Sequence, residues 1–203
     1  MTSVILDTGP CLNFLAIDQG KLLYRVLGST NERILVPQEV ANEIVDKARE
    51  SAKFSSAARR FEGLSREPKF EILASNLDDV ELIRAMQQVS PRKPPSELLA
   101  RRRMKDLGEI LVISHAIKLR GEGNTVNLVM DDREGRKLAM KHGFRPIRTT
   151  RIFATAGSMG LLTYSEAKSL YEKLRASDGS TVMDTGLPHW TDSQLDDRSL
   201  YRK

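Results

Sequence analysis

The sequence predicts an α/β fold, a central and mainly parallel sheet flanked by helices, and three observations carry that prediction. The apolar runs Val4-Ile5-Leu6, Arg33-Ile34-Leu35-Val36 and Val126-Asn127-Leu128-Val129-Met130 have the length of buried strands rather than of helices. Segments with helical spacing follow each of them, the alternation that a parallel sheet needs. The first and last runs also stop on acid, at Asp7 and at Asp131-Asp132. In open α/β sheets the carboxyl ends of the strands form the edge where ligands bind, so acids there are candidates for chemistry. Capping of the following helix is the competing reading of Asp7.

The 203 residues suffice for one domain with appendages. Residues 1–162 read as the main domain, with a helical excursion at about 49–105, and residues 163–203 as a C-terminal helix and polar tail. Charged residues make up 29% and hydrophobic ones 40%, and no apolar run approaches the ~18 residues of a membrane span. The expectation is a soluble protein with no membrane partner. No export signal is recognised at the start, and the single cysteine, Cys11, excludes an internal disulfide. A reducing cytoplasm is the expected compartment. The net charge of +5 and pI near 9.4 favour a polyanionic partner.

Taken in order, the strand ending on Asp7 leads through Thr8-Gly9-Pro10 into a helix expected to run to about Leu27. Pro37 suits the first position of a second helix, on which Val40, Ile44 and Ala48 trace an apolar stripe. Glu43 lies beside that stripe and can reach the sheet edge, although a solvated helix glutamate is the competing reading. Within 49–105, residues 69–73 suit a strand and 78–89 a helix begun by Asn76; the prolines 91, 94 and 95 interrupt it. Ser96 then suits the N-cap of a helix carrying Arg101-Arg102-Arg103 and Lys105. Asp106-Leu107-Gly108-Glu109 open a helix apolar almost all round, and the two acids, three apart, share a face. Helix-terminus electrostatics explain Asp106 well and Glu109 less well. A helix over 133–142, a last short strand over 145–149 and a helix over 152–162 follow. Thr163 and Glu166 form a capping box for a helix reaching about Arg175, and the chain is polar from Ser177.

Asp7, Glu43, Glu109 and Asp131 would thus converge on one sheet edge. Two like charges ~4 Å apart cost about 4 kcal/mol at an effective dielectric of 20, so such a cluster needs protons or cations. All-oxygen donors suit Mg²⁺ or Mn²⁺, which can activate water and stabilise in-line displacement at a phosphodiester. One Cys and three scattered His offer no zinc spacing, and no Gly-rich phosphate loop is present. Cys11 suits the core rather than a nucleophile, His115 packing on its helix, and His142 a C-terminal helix cation.

Val4-Ile5-Leu6-Asp7-Thr8-Gly9-Pro10, the stretch from Pro37 to Glu43, Gly108-Glu109, and Asp131-Asp132 with Gly135-Arg136 together resemble the PIN-domain ribonucleases, particularly VapC-like toxins. The resemblance covers about residues 3–162. It implies a PIN-like three-layer fold and a metal-dependent endoribonuclease, the toxin of a toxin-antitoxin pair. Asp7, Glu43, Glu109 and Asp131 would form the acidic quartet around one or two Mg²⁺ or Mn²⁺, with Glu43 acting through a water on the metal. Asp7, Glu109, Asp131 and Asp132 are the implied metal ligands. The family pattern aligns to either adjacent aspartate, and Asp131 is preferred because it directly follows the strand. Thr8 would help through its hydroxyl and Asp106 as an accessory acid. Arg101, Arg136 and Lys137 would hold the RNA backbone. An antitoxin protein covering the acidic groove and a homodimer are the implied partners besides RNA. The chain is longer than typical toxins of this type, by 49–105 and the tail. A non-catalytic nucleic-acid or protein-binding module, or a nuclease acting on DNA, are the alternatives.

Overall fold

The computed structural model describes residues 1–100 and 106–178. The predicted basic cluster Arg101-Arg102-Arg103 with Lys105, and the tail beyond residue 178, lie outside the described residues. Strands β1 (Thr2–Leu6), β2 (Arg33–Pro37), β3 (Phe70–Leu73) and β4 (Thr125–Val129) form one all-parallel sheet in the order β3-β2-β1-β4. Val4, Ile5 and Leu6 of the central strand are wholly buried, so side chains pointing to both sheet faces are covered. The fold is therefore α/β with helices flanking the sheet, the architecture that the resemblance implies.

Helix α1 (Thr8–Ala16) and helix α2 (Gly20–Thr30) replace the single helix expected after Pro10. The chain breaks at Asp18, which adopts the left-handed conformation (φ 60°). Arg60 holds that elbow: its Nη1 donates to the carbonyls of Leu15 (2.6 Å) and Ala16 (3.2 Å), and its Nε pairs with Asp18 (2.9 Å). Carbonyls at the end of a helix otherwise lack partners.

Pro37 closes β2, and helix α3 (Gln38–Glu50) starts one residue later than expected. The 49–105 segment is more than a helical excursion. It carries a 3₁₀ turn (Ala52–Phe54), helix α4 (Ala57–Ser65), edge strand β3, helix α5 (Val80–Val89) and helix α6 (Pro95–Ala100). Asp79 rather than Asn76 caps α5, accepting from the Leu82 amide at 3.0 Å; Asn76 serves the preceding turn, accepting from the Asp78 amide. Helix α6 begins at Pro95, whose missing N–H is no loss there, so Ser96 lies inside it.

Helix α7 (Leu107–Gly121) packs on β1, β2 and β4, and α5 packs on α7. Helix α8 (Arg133–Lys141) follows β4. The strand expected over 145–149 reduces to a single parallel bridge between Ile147 and Val129, because Thr149, the next residue able to extend the ladder, already starts α9 and gives its amide to Asp131. Helix α9 (Thr149–Ser158) starts earlier than the expected 152 and ends earlier than 162, at a left-handed Gly160 (φ 70°). The capping box opens helix α10 (Tyr164–Asp178) as expected: the Glu166 amide donates to Thr163 Oγ1 at 3.2 Å and the Thr163 amide to Glu166 Oε2 at 2.7 Å. Tyr171 and Leu174 of α10 join the same core. Among the described residues no helix is long and apolar enough to cross a membrane.

Candidate active site

The sheet topology places the acids. The chain leaves β1 towards β2 on one side, whereas after β4 it passes to Ile147 on the other. The connections beyond the carboxyl ends of β1 and β4 therefore diverge, and the point between them is where open α/β sheets form their ligand crevice. Leu6 is in register with Val129, and the Asp7 amide donates to the Val129 carbonyl at 3.0 Å, so Asp7 and Asp131 flank this crevice.

Two helices bring further carboxylates. Glu43 on α3 accepts from Thr8 Oγ1 at 2.6 Å through Oε2, and its Oε1 pairs with Lys47 at 3.1 Å. Helix α7 approaches through Gly108. A Cβ on that residue would stand 3.4 Å from Glu43 Oε2 and 3.8 Å from Asp7 Oδ1, so the glycine keeps the gap between α7 and the two acids narrow. Glu109 follows, and α8 packs against it at Gly135, where a Cβ would stand only 2.9 Å from Glu109 Cγ. Sequence reading assigned no role to these two glycines; their position beside Glu109 and one turn beyond Asp131 was the available signal.

Burial dominates the electrostatics. Asp7 is 6% exposed, and its pKa is pushed up to about 7 by desolvation, with the Glu43, Asp131 and Asp132 carboxylates adding to the rise and the Thr8 amide opposing it. Glu109 is pushed up to about 8 by desolvation, then by Asp7, Asp106, Asp132 and Glu43. Asp131 rises to about 6 by desolvation, against hydrogen bonds from Thr149 and Asn13 and the charge of Arg148. Asp7 thus feels the charges of Glu43, Asp131 and Asp132, and Glu109 those of Asp7, Asp106, Asp132 and Glu43. The sequence-predicted acids are brought together.

The adjacent aspartates differ. Both oxygens of Asp131 are engaged within the protein: Oδ1 accepts from the Thr149 amide (2.8 Å), and Oδ2 from Asn13 Nδ2 (2.9 Å) and Thr149 Oγ1 (2.5 Å). Asp132 is only partly buried and caps α8, accepting from the Gly135 amide at 2.7 Å through Oδ1. Asp106, exposed and within charge range of Glu109, is left-handed (φ 68°) and makes no cap hydrogen bond to α7.

The expected phosphate contacts are differently engaged. Arg136 Nη1 donates to the Asp131 carbonyl and Lys137 pairs with Glu134 at 2.6 Å, while Arg101 lies outside the described residues. Elsewhere, Cys11 is buried with its thiol pKa pushed up by desolvation. His115 is buried against Ser75 (3.2 Å), and desolvation holds its pKa down at about 4. His142 ends α8 as expected, but desolvation and the Arg120 and Lys141 charges lower its pKa, against the expected cation.

Hard oxygen donors and buried, self-repelling carboxylates match the chemistry of Mg²⁺ or Mn²⁺. Among the described residues, no three His, Cys, Asp or Glu side chains form a ready cage. Mg²⁺ does not need one, because it is commonly held by one or two carboxylates with water and substrate oxygens completing the octahedron. Asp7 and Glu109, each within charge range of Glu43 and Asp132, would supply such carboxylates. No protein-family model matches the chain, and no curated protein matches it in sequence.

Proposed function

We propose that this protein is a Mg²⁺- or Mn²⁺-dependent endoribonuclease that hydrolyses RNA phosphodiester bonds, acting in the cytoplasm as a toxin restrained by an antitoxin. The observation that carries the reading is the convergence of Asp7, Glu109 and Asp132, with Glu43 beside them, in the crevice between β1 and β4. Buried carboxylates so placed are poorly tolerated as anions, and a divalent cation compensates them. A cation held by these carboxylates would supply Lewis-acid stabilisation of the charge that develops on the phosphate oxygens.

The protein's own residues do the rest. Glu43, oriented through one oxygen by Thr8 and through the other by Lys47, is the base in this reading and would accept the proton of the attacking water. The water oxygen bonds to phosphorus, the P–O bond to the neighbouring nucleotide breaks, and the departing sugar oxygen takes a proton. Solvent water can supply that proton, because a Glu109 that ligates a cation is ionised. The basic surplus of the chain favours the polyanionic substrate.

A second reading, a non-catalytic module binding nucleic acid or protein, draws on the internal engagement of Asp131 and Glu43. Incubating the protein with a mixed pool of structured and single-stranded RNA, and with DNA, in Mg²⁺, Mn²⁺ or EDTA separates the two. Metal-dependent cleavage of RNA over DNA supports the nuclease; metal-independent binding without cleavage supports the module.

A further inference from the structure

A cleft of about 210 Å³ opens where α2, the end of α9 and the start of β3 meet, lined by Tyr24, Arg25, Gly28, Ser29, Lys69 and Met159. Lys69 directly precedes β3, so the cleft lies at the amino edge of the parallel sheet, across from the acids. Pockets for drug-sized ligands run to ~300–1,000 Å³, so this one suits a single ring system rather than a whole cofactor. Gly28 leaves it open. A Cβ there would meet Lys69 Cδ at 3.5 Å and Ile34 Cδ1 and Lys69 Nζ at 3.9 Å, ordinary contact distances. Packing therefore does not demand glycine, and alanine would favour the helix. The rim is cationic. Arg25 is exposed and makes no hydrogen bond or ion pair among the described residues, and α2 carries no acid. The Lys69 ammonium donates to the carbonyls of Gly28 (2.5 Å) and Asn31 (3.3 Å), offsetting the negative end of α2 and leaving its third hydrogen for a ligand. Ser29 Oγ donates to the Val26 carbonyl at 2.7 Å and lies 3.6 Å from Met159 Sδ, so its remaining lone pair can accept. Tyr24 and Met159 add an aromatic ring and a thioether, groups that pack on flat π surfaces.

We propose that this cleft binds one nucleotide, free or within a single RNA strand, with the base against Tyr24 and Met159 and the phosphate on Arg25. Charge and shape select this occupant together. A purely apolar ligand would leave Arg25 without a partner, and a bare inorganic anion would leave the ring and the thioether uncovered. Lys69 Nζ donates to an acceptor on the base edge, and Ser29 Oγ accepts from a base N–H. The net charge of +5 favours the same anionic class. The site needs no metal cation and goes beyond the metal-nuclease reading, adding a nucleotide contact at the sheet edge opposite the acids.

The test is an NMR titration of the full chain in EDTA, following backbone amides, with AMP, UMP, adenosine, inorganic phosphate and a short single-stranded RNA. The nucleotides are expected to shift the amides of Tyr24, Arg25, Gly28, Ser29, Lys69 and Met159, and phosphate alone to bind far more weakly. Arg25→Gln is expected to weaken AMP binding by roughly five- to tenfold while leaving adenosine unchanged. Gly28→Leu, whose side chain fills the cleft, is expected to abolish binding of both without lowering Tm. Binding of the RNA alone assigns the cleft to a strand, and binding of AMP or UMP as well assigns it to either source. Shifts centred on the acids, phosphate binding as tightly as AMP, undiminished affinity in Arg25→Gln or Gly28→Leu, or no shift with any nucleotide or RNA overturns the proposal. RNA cleavage in Mn²⁺ decides the nuclease reading separately.

Discussion

Thr8 Oγ1 donates a 2.6 Å hydrogen bond to Glu43 Oε2, joining the first turn of α1 to α3 beside the acid crevice. The bond fixes one Glu43 oxygen, leaving the other to Lys47. Hydrogen bonds to charged groups contribute about 1.5–3 kcal/mol, and 1.4 kcal/mol is about a factor of ten in rate. Thr8→Val is therefore expected to lower kcat on RNA by roughly ten- to a hundredfold, and Thr8→Ser to retain most of it. Equal kcat in Thr8→Val and wild type would show that the orientation of Glu43 is irrelevant to turnover.

Gly108 and Gly135 separate activity from stability. An added methyl at Gly135 meets Glu109 Cγ at 2.9 Å and Met130 Cε at 3.0 Å, an overpacking that costs about 1–3 kcal/mol. Gly135→Ala is expected to lower both Tm and activity. At Gly108 the nearest atom is the end of the Glu43 side chain at 3.4 Å, which can give way. Gly108→Ala is expected to change stability by less than about 1 kcal/mol, because alanine also favours the helix, while pushing Glu43 aside and reducing cleavage. Denaturant unfolding and initial rates on the two variants check the contrast.

The raised carboxyls give a signed pH dependence. For Asp7, with a folded pKa of about 7, and Glu109, at about 8, the native state holds protons that the unfolded chain has released above about pH 4. The unfolded state then binds fewer protons, so stability falls as pH rises from about 4 to about 8. Below that window the penalty is absent. In EDTA, Tm is expected to decline across this range, and Mn²⁺ is expected to raise it most near pH 8, where the carboxylates are ionised, and little near pH 5. A Tm that rises between pH 5 and 8 in EDTA would contradict the account of a self-repelling acid cluster.

Parts of this were legible because they were local. Asp7 and Asp131-Asp132 stood out where apolar runs of strand length stop on acid, and those runs became β1 and β4. Residues 70–73 were readable as a strand, although nothing local showed that β3 would lie at the sheet edge beside β2. The break between α1 and α2 was hidden. Apolar residues continue through Leu15, Leu22 and Val26, and the left-handed Asp18 is held by Arg60, far away in sequence. The difference between Asp131 and Asp132 was equally out of reach, since it depends on Thr149 and Asn13, 18 and 118 positions away. Glu43 could be placed beside a core stripe, but its partner Thr8 lies 35 residues distant.

The most direct measurement is RNA cleavage by Asp7→Asn beside wild type in Mn²⁺, with thermal unfolding of both. Asp7 is buried beside other carboxylates, and removing its charge relieves desolvation and repulsion while keeping its shape. The account expects cleavage to be lost, with Tm unchanged or raised. Wild-type rates of metal-dependent cleavage in folded Asp7→Asn would contradict it.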